Sequence, residues 1–268
     1  MNGEFSLEWY LADSKTKFRS WLRDGIPSVQ ESGAVLSDLS LKASGLVLTH
    51  KAEHHTLRAT VGRAIVKLGR GQPFATGFPF VSLAPGIGYY QVDASLPGPG
   101  LPTTQTVTNT TLAVGGEIDL PAGFRVVGEV NHNIVPESDL APQGTRAYGA
   151  LLKHAGRWTP YVTYAFMRSA ARSRSLYAKV NDNTVPAFIP GAAQINASQR
   201  AGADNIIAFD QSSWAVGTSY SFSATSKVKA EYMRTHVGDV SVLVDAPSGS
   251  SIRNQSINVL SLSYSFVF

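Results

Sequence analysis

An all-β fold is what this sequence predicts: an antiparallel transmembrane β-barrel of about 10–12 strands, or the C-terminal part of a roughly 16-strand barrel. Three observations predict it. Apolar and polar residues alternate with period two. Short turns and long connections alternate along the chain. No stretch reaches the roughly 18 to 20 consecutive apolar residues of a membrane helix, so any span must be made of strands.

The alternation is cleanest near the C-terminus. Trp214, Val216, Tyr220 and Phe222 share one face there, and Ala215, Gly217, Ser219 and Ser221 the other. In 256–268, Leu260, Leu262, Tyr264, Phe266 and Phe268 alternate with Ser261, Ser263 and Ser265. Earlier, 111–119 and 124–131 form a hairpin about Pro121-Ala122-Gly123. Further strands fall at 145–153, 157–167 and 225–235, at 38–49 with Leu39, Leu41, Ala43 and Val47 outward, and at 56–64 with Leu57, Ala59 and Val61 outward. Segments 3–11 and 16–22 read as two strands about a turn near 12–15, with a less regular alternation because Phe18 and Trp21 fall on opposite faces.

Short turns near 12–15, 50–55, 120–122, 154–156 and 223–224 alternate with long connections near 23–37, 65–108, 132–144, 168–209 and 236–254. Membrane barrels have this rhythm, with tight turns on one rim and long loops on the other. Gly and Pro crowd 65–108, which therefore reads as irregular. Either that loop or 168–209, with Arg168, Arg172 and Arg174, is a candidate to fold inward and narrow a channel.

The composition agrees, and it excludes several functions. Of 268 residues 43% are hydrophobic and 16% charged, with 24 Gly, 14 Pro and no Cys, which rules out disulfides, thiolate metal sites and cysteine nucleophiles. The net charge of +4 comes from scattered Lys and Arg without a like-charge run, so no nucleic-acid partner is expected. Gly69-Arg70-Gly71 and Gly86-Ile87-Gly88 precede no helix that could hold a phosphate. His50, His54 and His55 cluster at a turn without a further ligand and are read as exposed turn residues, so no metal or other cofactor is expected. No serine–histidine–carboxylate set or carboxylate pair stands out, and the chain is read as a non-enzyme.

The functional candidates are charges on the polar face, where they would line a pore: Lys42, Arg58, Arg125, Lys153, Lys227 and Lys229 against Glu8, Glu117, Asp119, Glu129 and Glu231. The slight basic excess suggests weak anion preference.

Two stretches carry a resemblance. The end of the chain, with Leu262, Tyr264, Phe266 and Phe268, resembles the C-terminal signal by which the outer-membrane assembly machinery recognises its substrates. Gly156-Arg157-Trp158-Thr159-Pro160-Tyr161-Val162-Thr163-Tyr164-Ala165 resembles a strand of a Gram-negative outer-membrane porin-like β-barrel family. Trp214–Tyr220 followed by Lys227–Tyr232 is similar to that family's penultimate hairpin. The resemblance covers much of 145–268 and little of 1–140. It implies a single outer-membrane barrel domain over 1–268, N-terminally truncated, that passes small hydrophilic solutes passively. The implied partners are outer-membrane lipid, the assembly machinery and further copies of the chain. A structural or adhesive barrel with a plugged lumen is the alternative, and an outer-membrane hydrolase the third reading. The start lacks signal-peptide features, and the strand count is odd where closed single-chain barrels have even numbers. Both point to a missing N-terminal part, although one long strand over 3–22 would make the count even.

Overall fold

A computed structural model describes residues 3–267. In chain order the strands are β1 (Glu4–Leu22), β2 (Gly33–Ala52), β3 (His55–Leu68), β4 (Phe74–Ala75), β5 (Phe80–Ala84), β6 (Ile87–Tyr90), β7 (Thr103–Thr104), β8 (Val107–Leu120), β9 (Phe124–Ile134) and β10 (Gly144–Lys153). Then follow β11 (Trp158–Ser169), helices α1 (Ala171–Asp182) and α2 (Ala192–Asp204), β12 (Phe209–Ser221), β13 (Ser226–Ser241) and β14 (Gln255–Phe266). Neither helix is long and apolar enough to cross a membrane. The fold is all-β. Ten strands make one antiparallel meander, β1-β2-β3-β8-β9-β10-β11-β12-β13-β14, while β4 pairs with β7 and β5 with β6 in two small sheets.

Residues 12–15 do not turn. Asp13 pairs with Lys42 and Lys15 with Ser40 inside one unbroken β1–β2 ladder. The face pattern misleads at this point because the outward side changes from Leu11 to Asp13, Lys15 and Lys17 within one strand. The count in the large sheet is therefore ten, and the parity argument for a missing part falls.

The sheet is strongly curved. β13 is ninth in the order, so in a flat sheet it would lie about 38 Å from β1 at the usual strand spacing. Yet Asp245, four residues beyond β13, accepts two hydrogen bonds from Arg19 of β1, and Trp21 donates to Ala246 O at 2.7 Å. Four residues reach only about 14 Å, so the sheet curls until its ends meet at the long-loop rim. Among the described residues β1 and β14 are the outermost strands in the order of this sheet.

Register sorts the side chains onto two faces. The convex one carries an apolar band that ends toward the long loops in a polar residue on every strand: Asp13, Ser44, Arg63, Thr110, His132, Thr145, Arg168, Ser212, Arg234 and Asn258. On β11 the band runs from Trp158 to Phe166, roughly 20–25 Å at ordinary strand tilt. Its large side chains stay exposed, Leu260 at 82% and Trp9 at 67%, whereas Val47 and Ala215 on the concave face are 6% and 7% exposed. At the short-turn rim Trp158, Tyr220, Phe222, Tyr264 and Phe266 form a chain of ring contacts 4.7–6.5 Å apart. Leu262, Tyr264 and Phe266 share this outward strip. Phe268 lies outside the described residues.

Candidate functional site: the concave face and its capped mouth

Three glycines under two tyrosine rings shape the concave wall. Tyr10 lies across Gly45 and Gly62, its neighbours in register, so that a Cβ on either would stand 2.5 Å from its Oη. Tyr161 covers Gly217 likewise. Glycine is needed because the ring occupies the space a side chain would take. Tyr161 Oη donates to Glu231 at 2.5 Å, Lys229 Nζ lies 3.0 Å from the same carboxylate, and that cation sits 4.9 Å from the Tyr161 ring centre. Nearer the turn at 121–123, Arg125 grips Asp119 at 2.6 and 3.0 Å and reaches Glu117 at 3.4 Å.

Of the predicted charges, Glu8, Arg58, Glu117, Asp119, Arg125, Glu129, Lys227, Lys229 and Glu231 share this concave face by register. Lys42 and Lys153 do not. β2 has apolar residues on both faces, and Leu46 and Leu48 point outward where Leu39, Leu41, Ala43 and Val47 were expected; Lys42 lies on their side, 3.8 Å from Asp13. Lys153 ends β10 on the apolar face. Its stem lies against Phe124, with the amino group 4.3 Å from the ring centre and donating to Ala122 O, so it snorkels to the rim.

Over the registered strands the concave face carries six cations, Lys51, Arg58, Arg125, Arg146, Lys227 and Lys229. They face six carboxylates, Glu4, Glu8, Glu117, Asp119, Glu129 and Glu231. The convex face carries nine cations against Asp13, Asp38 and Asp210. The basic excess of the sequence therefore lies outside the curve, which removes the ground for anion preference. Toward the long loops, Asn109, Asn131 and Asn133 present buried Oδ1 atoms on the concave face that have no hydrogen-bond partner among the described residues. Such acceptors are satisfied by water or a polar solute.

The long connections are no loose fringe. Hairpin β5–β6, α1, α2 and segments 135–143 and 242–254 pack into a cap at that rim. Tyr177, Val180, Ala203, Ile206, Ala208 and Val240 form one core of it, and Tyr89, Leu96, Val185, Ala192 and Ile195 another. Thus 65–108, expected to be irregular, holds four short strands, and 168–209 holds two helices. Both pack into the cap at the long-loop rim.

A buried ion pair ties the cap to β1. Arg23 Nε meets Asp204 Oδ1 at 2.6 Å, the Arg23 N–H donates to Oδ2 at 2.9 Å, and the guanidinium also reaches Asn181. Burial raises the Asp204 carboxyl above its ordinary range, and Arg23 offsets part of that. Asp24 is pushed up by burial, but donors from Gly249 and Ser248 and the charge of Arg200 outweigh this and hold it low. Asp245 is held low chiefly by its hydrogen bonds from Arg19. A cavity of about 30 Å³ between Trp21, Arg23, Tyr177 and Asp204 is water-sized and too small for a solute. Sequence reasoning missed these residues, since Arg19–Asp245 joins positions 226 apart and Arg23–Asp204 positions 181 apart.

His50 and His55 face each other at 3.1 Å, while His54 turns to Glu53. Among the described residues no group of three His, Cys, Asp or Glu is placed to hold a metal.

No protein-family model matches the chain, and no curated protein sequence does. Among solved structures it is similar to the toluene transporter TodX of Pseudomonas putida, at TM-score 0.42 and 11% identity over 99% of this chain and 70% of that one. The ferric citrate transporter FecA follows at 0.41 and 9%, over 98% and 36%. The copper transporter OprC follows at 0.39 and 14%, over 89% and 36%.

Proposed function

We propose that the chain is a β-barrel unit of a Gram-negative outer membrane that lets small hydrophilic solutes diffuse passively along its concave face. It acts as a passage and not as an enzyme. The observation that carries this reading is the apolar band, which ends in a polar residue on all ten strands and is bounded below by aromatic rings. A band of roughly 25 Å with an aromatic girdle is what a bilayer requires of a barrel. The short turns then face the periplasm and the capped rim the outside. Free backbone groups are untenable in lipid, so the edges of β1 and β14 pair there, with each other or with further strands. The outward strip of Tyr264 and Phe266 is the surface offered to the assembly machinery, and membrane lipid and further copies of the chain are the other partners.

The packed cap favours a second feature, a restricted entrance. Single-channel recording of the folded protein in planar bilayers tests the reading. Discrete conductance steps are expected, with a reversal potential near zero in a salt gradient because concave charges balance. A folded, inserted protein without steps overturns the passage and leaves a plugged barrel.

A further inference from the structure

The convex basic excess is unevenly placed. On β1–β3 and the turn after them, just beyond the apolar band, stand Lys15, Lys17, Lys42, Arg63, Lys67 and Arg70, with Asp13 and Asp38 as the carboxylates among them. Six cations against two carboxylates leave +4, the formal charge of the whole chain. Across the sheet the corresponding cation Arg168 is drawn to Asp210, 3.6 Å away.

Two grooves cross this patch. One, of about 330 Å³, runs between Leu11, Asp13, Lys42, Arg63 and Ile65. The other, of about 440 Å³, runs between Lys15, Lys17, Asp38 and Arg70. The Lys42–Asp13 and Lys17–Asp38 separations are 3.8 and 3.7 Å with all four side chains well exposed, so these pairs leave the cations available to a stronger anion. Leu11 and Ile65 continue the apolar surface into the first groove. A ligand fitted to it has an anionic head and apolar chains running down the band.

We propose that this face of β1–β3 binds the phosphate-bearing headgroup of a membrane lipid in the leaflet on the capped side. Lys42 and Arg63 clasp phosphate in the first groove, with Arg63 suited to bidentate contact, and Lys15 and Lys17 hold a second phosphate. The acyl chains lie against Leu46, Leu48 and Val61. This inference rests on the membrane reading above, and only the lipid preference is new.

Native mass spectrometry of the full chain released from detergent, titrated with a phosphorylated glucosamine lipid and with its dephosphorylated counterpart, tests it. Phosphate-dependent adducts are expected, weakened about thirty-fold by Lys42→Gln with Arg63→Gln and unchanged by Arg168→Gln with Arg234→Gln on the far side. Equal binding of the two lipids, or equal loss in both double variants, overturns the proposal. Displacement by millimolar inorganic phosphate alone marks a free-phosphate site and also overturns it. Salt dependence of wild-type binding keeps the test open if a variant misfolds, since adducts that persist unchanged at high salt contradict a charge-held headgroup. Insertion into vesicles is scored separately. Protein that inserts without preferring phosphate defeats this inference alone, whereas protein that fails to insert defeats the membrane reading.

Discussion

Tyr10 and Tyr161 show how single residues set the concave wall. Each ring needs bare backbone opposite it, so Gly45→Ala and Gly217→Ala should each destabilise the fold by about 1–3 kcal/mol. A Cβ on Gly149 would meet nothing within 4 Å among the described residues, and Gly149→Ala should fall within about 0.5 kcal/mol of wild type. Urea unfolding in detergent compares the three. At this scale the sequence was only partly legible. Glu117, Asp119 and Arg125 could be placed because β8 and β9 alternate cleanly. Lys42 could not, because β2 has leucines on both faces and its phase is set by pairing with Leu11 and Trp9 of β1. Lys153 escaped because a long stem lets a cation sit on an apolar face near a rim.

Among the elements, nine of the ten long strands were legible, β1 was read as two, and the cap was not legible. Period two announces a strand whose two faces meet different surroundings. α1 and α2 carry weak patterns and are fixed by tertiary burial of Tyr177, Val180 and Ala203. The latch between β1 and segment 242–254 gives the cap a pH response with a definite sign. Asp24 and Asp245 have depressed folded-state values, so their stabilisation is present above the ordinary 3.8 and is lost as pH falls through those lower values. Asp204, with a raised value, works in the opposite sense, holding fully in acid and weakening as pH rises. Amide exchange across 242–254, corrected for intrinsic rates, should therefore stay slow from neutral pH to about 4 and quicken below. Asp245→Asn should already be faster at pH 7 and change less in acid. Protection that is flat across this range would show that the carboxylates do not hold the segment.

For the whole molecule, curvature, register and charge combine into one picture: a sheet apolar outside, charge-balanced inside, basic above the band and capped at one end. The all-β class and the alternation of short and long connections were legible because they follow from local pattern. The curl was not, since it rests on contacts between β1 and the segment after β13. The central claim is that the convex face meets lipid and the concave face water. The chain has no Cys, so single cysteines can be read without background. Cysteines at Val162 and Val216 on the convex face, and at Thr163 and Ser219 on the concave face, should be labelled in membrane-inserted protein by a water-soluble thiol reagent only at the latter two positions. Equal labelling at all four, or labelling confined to 162 and 216, would contradict the account.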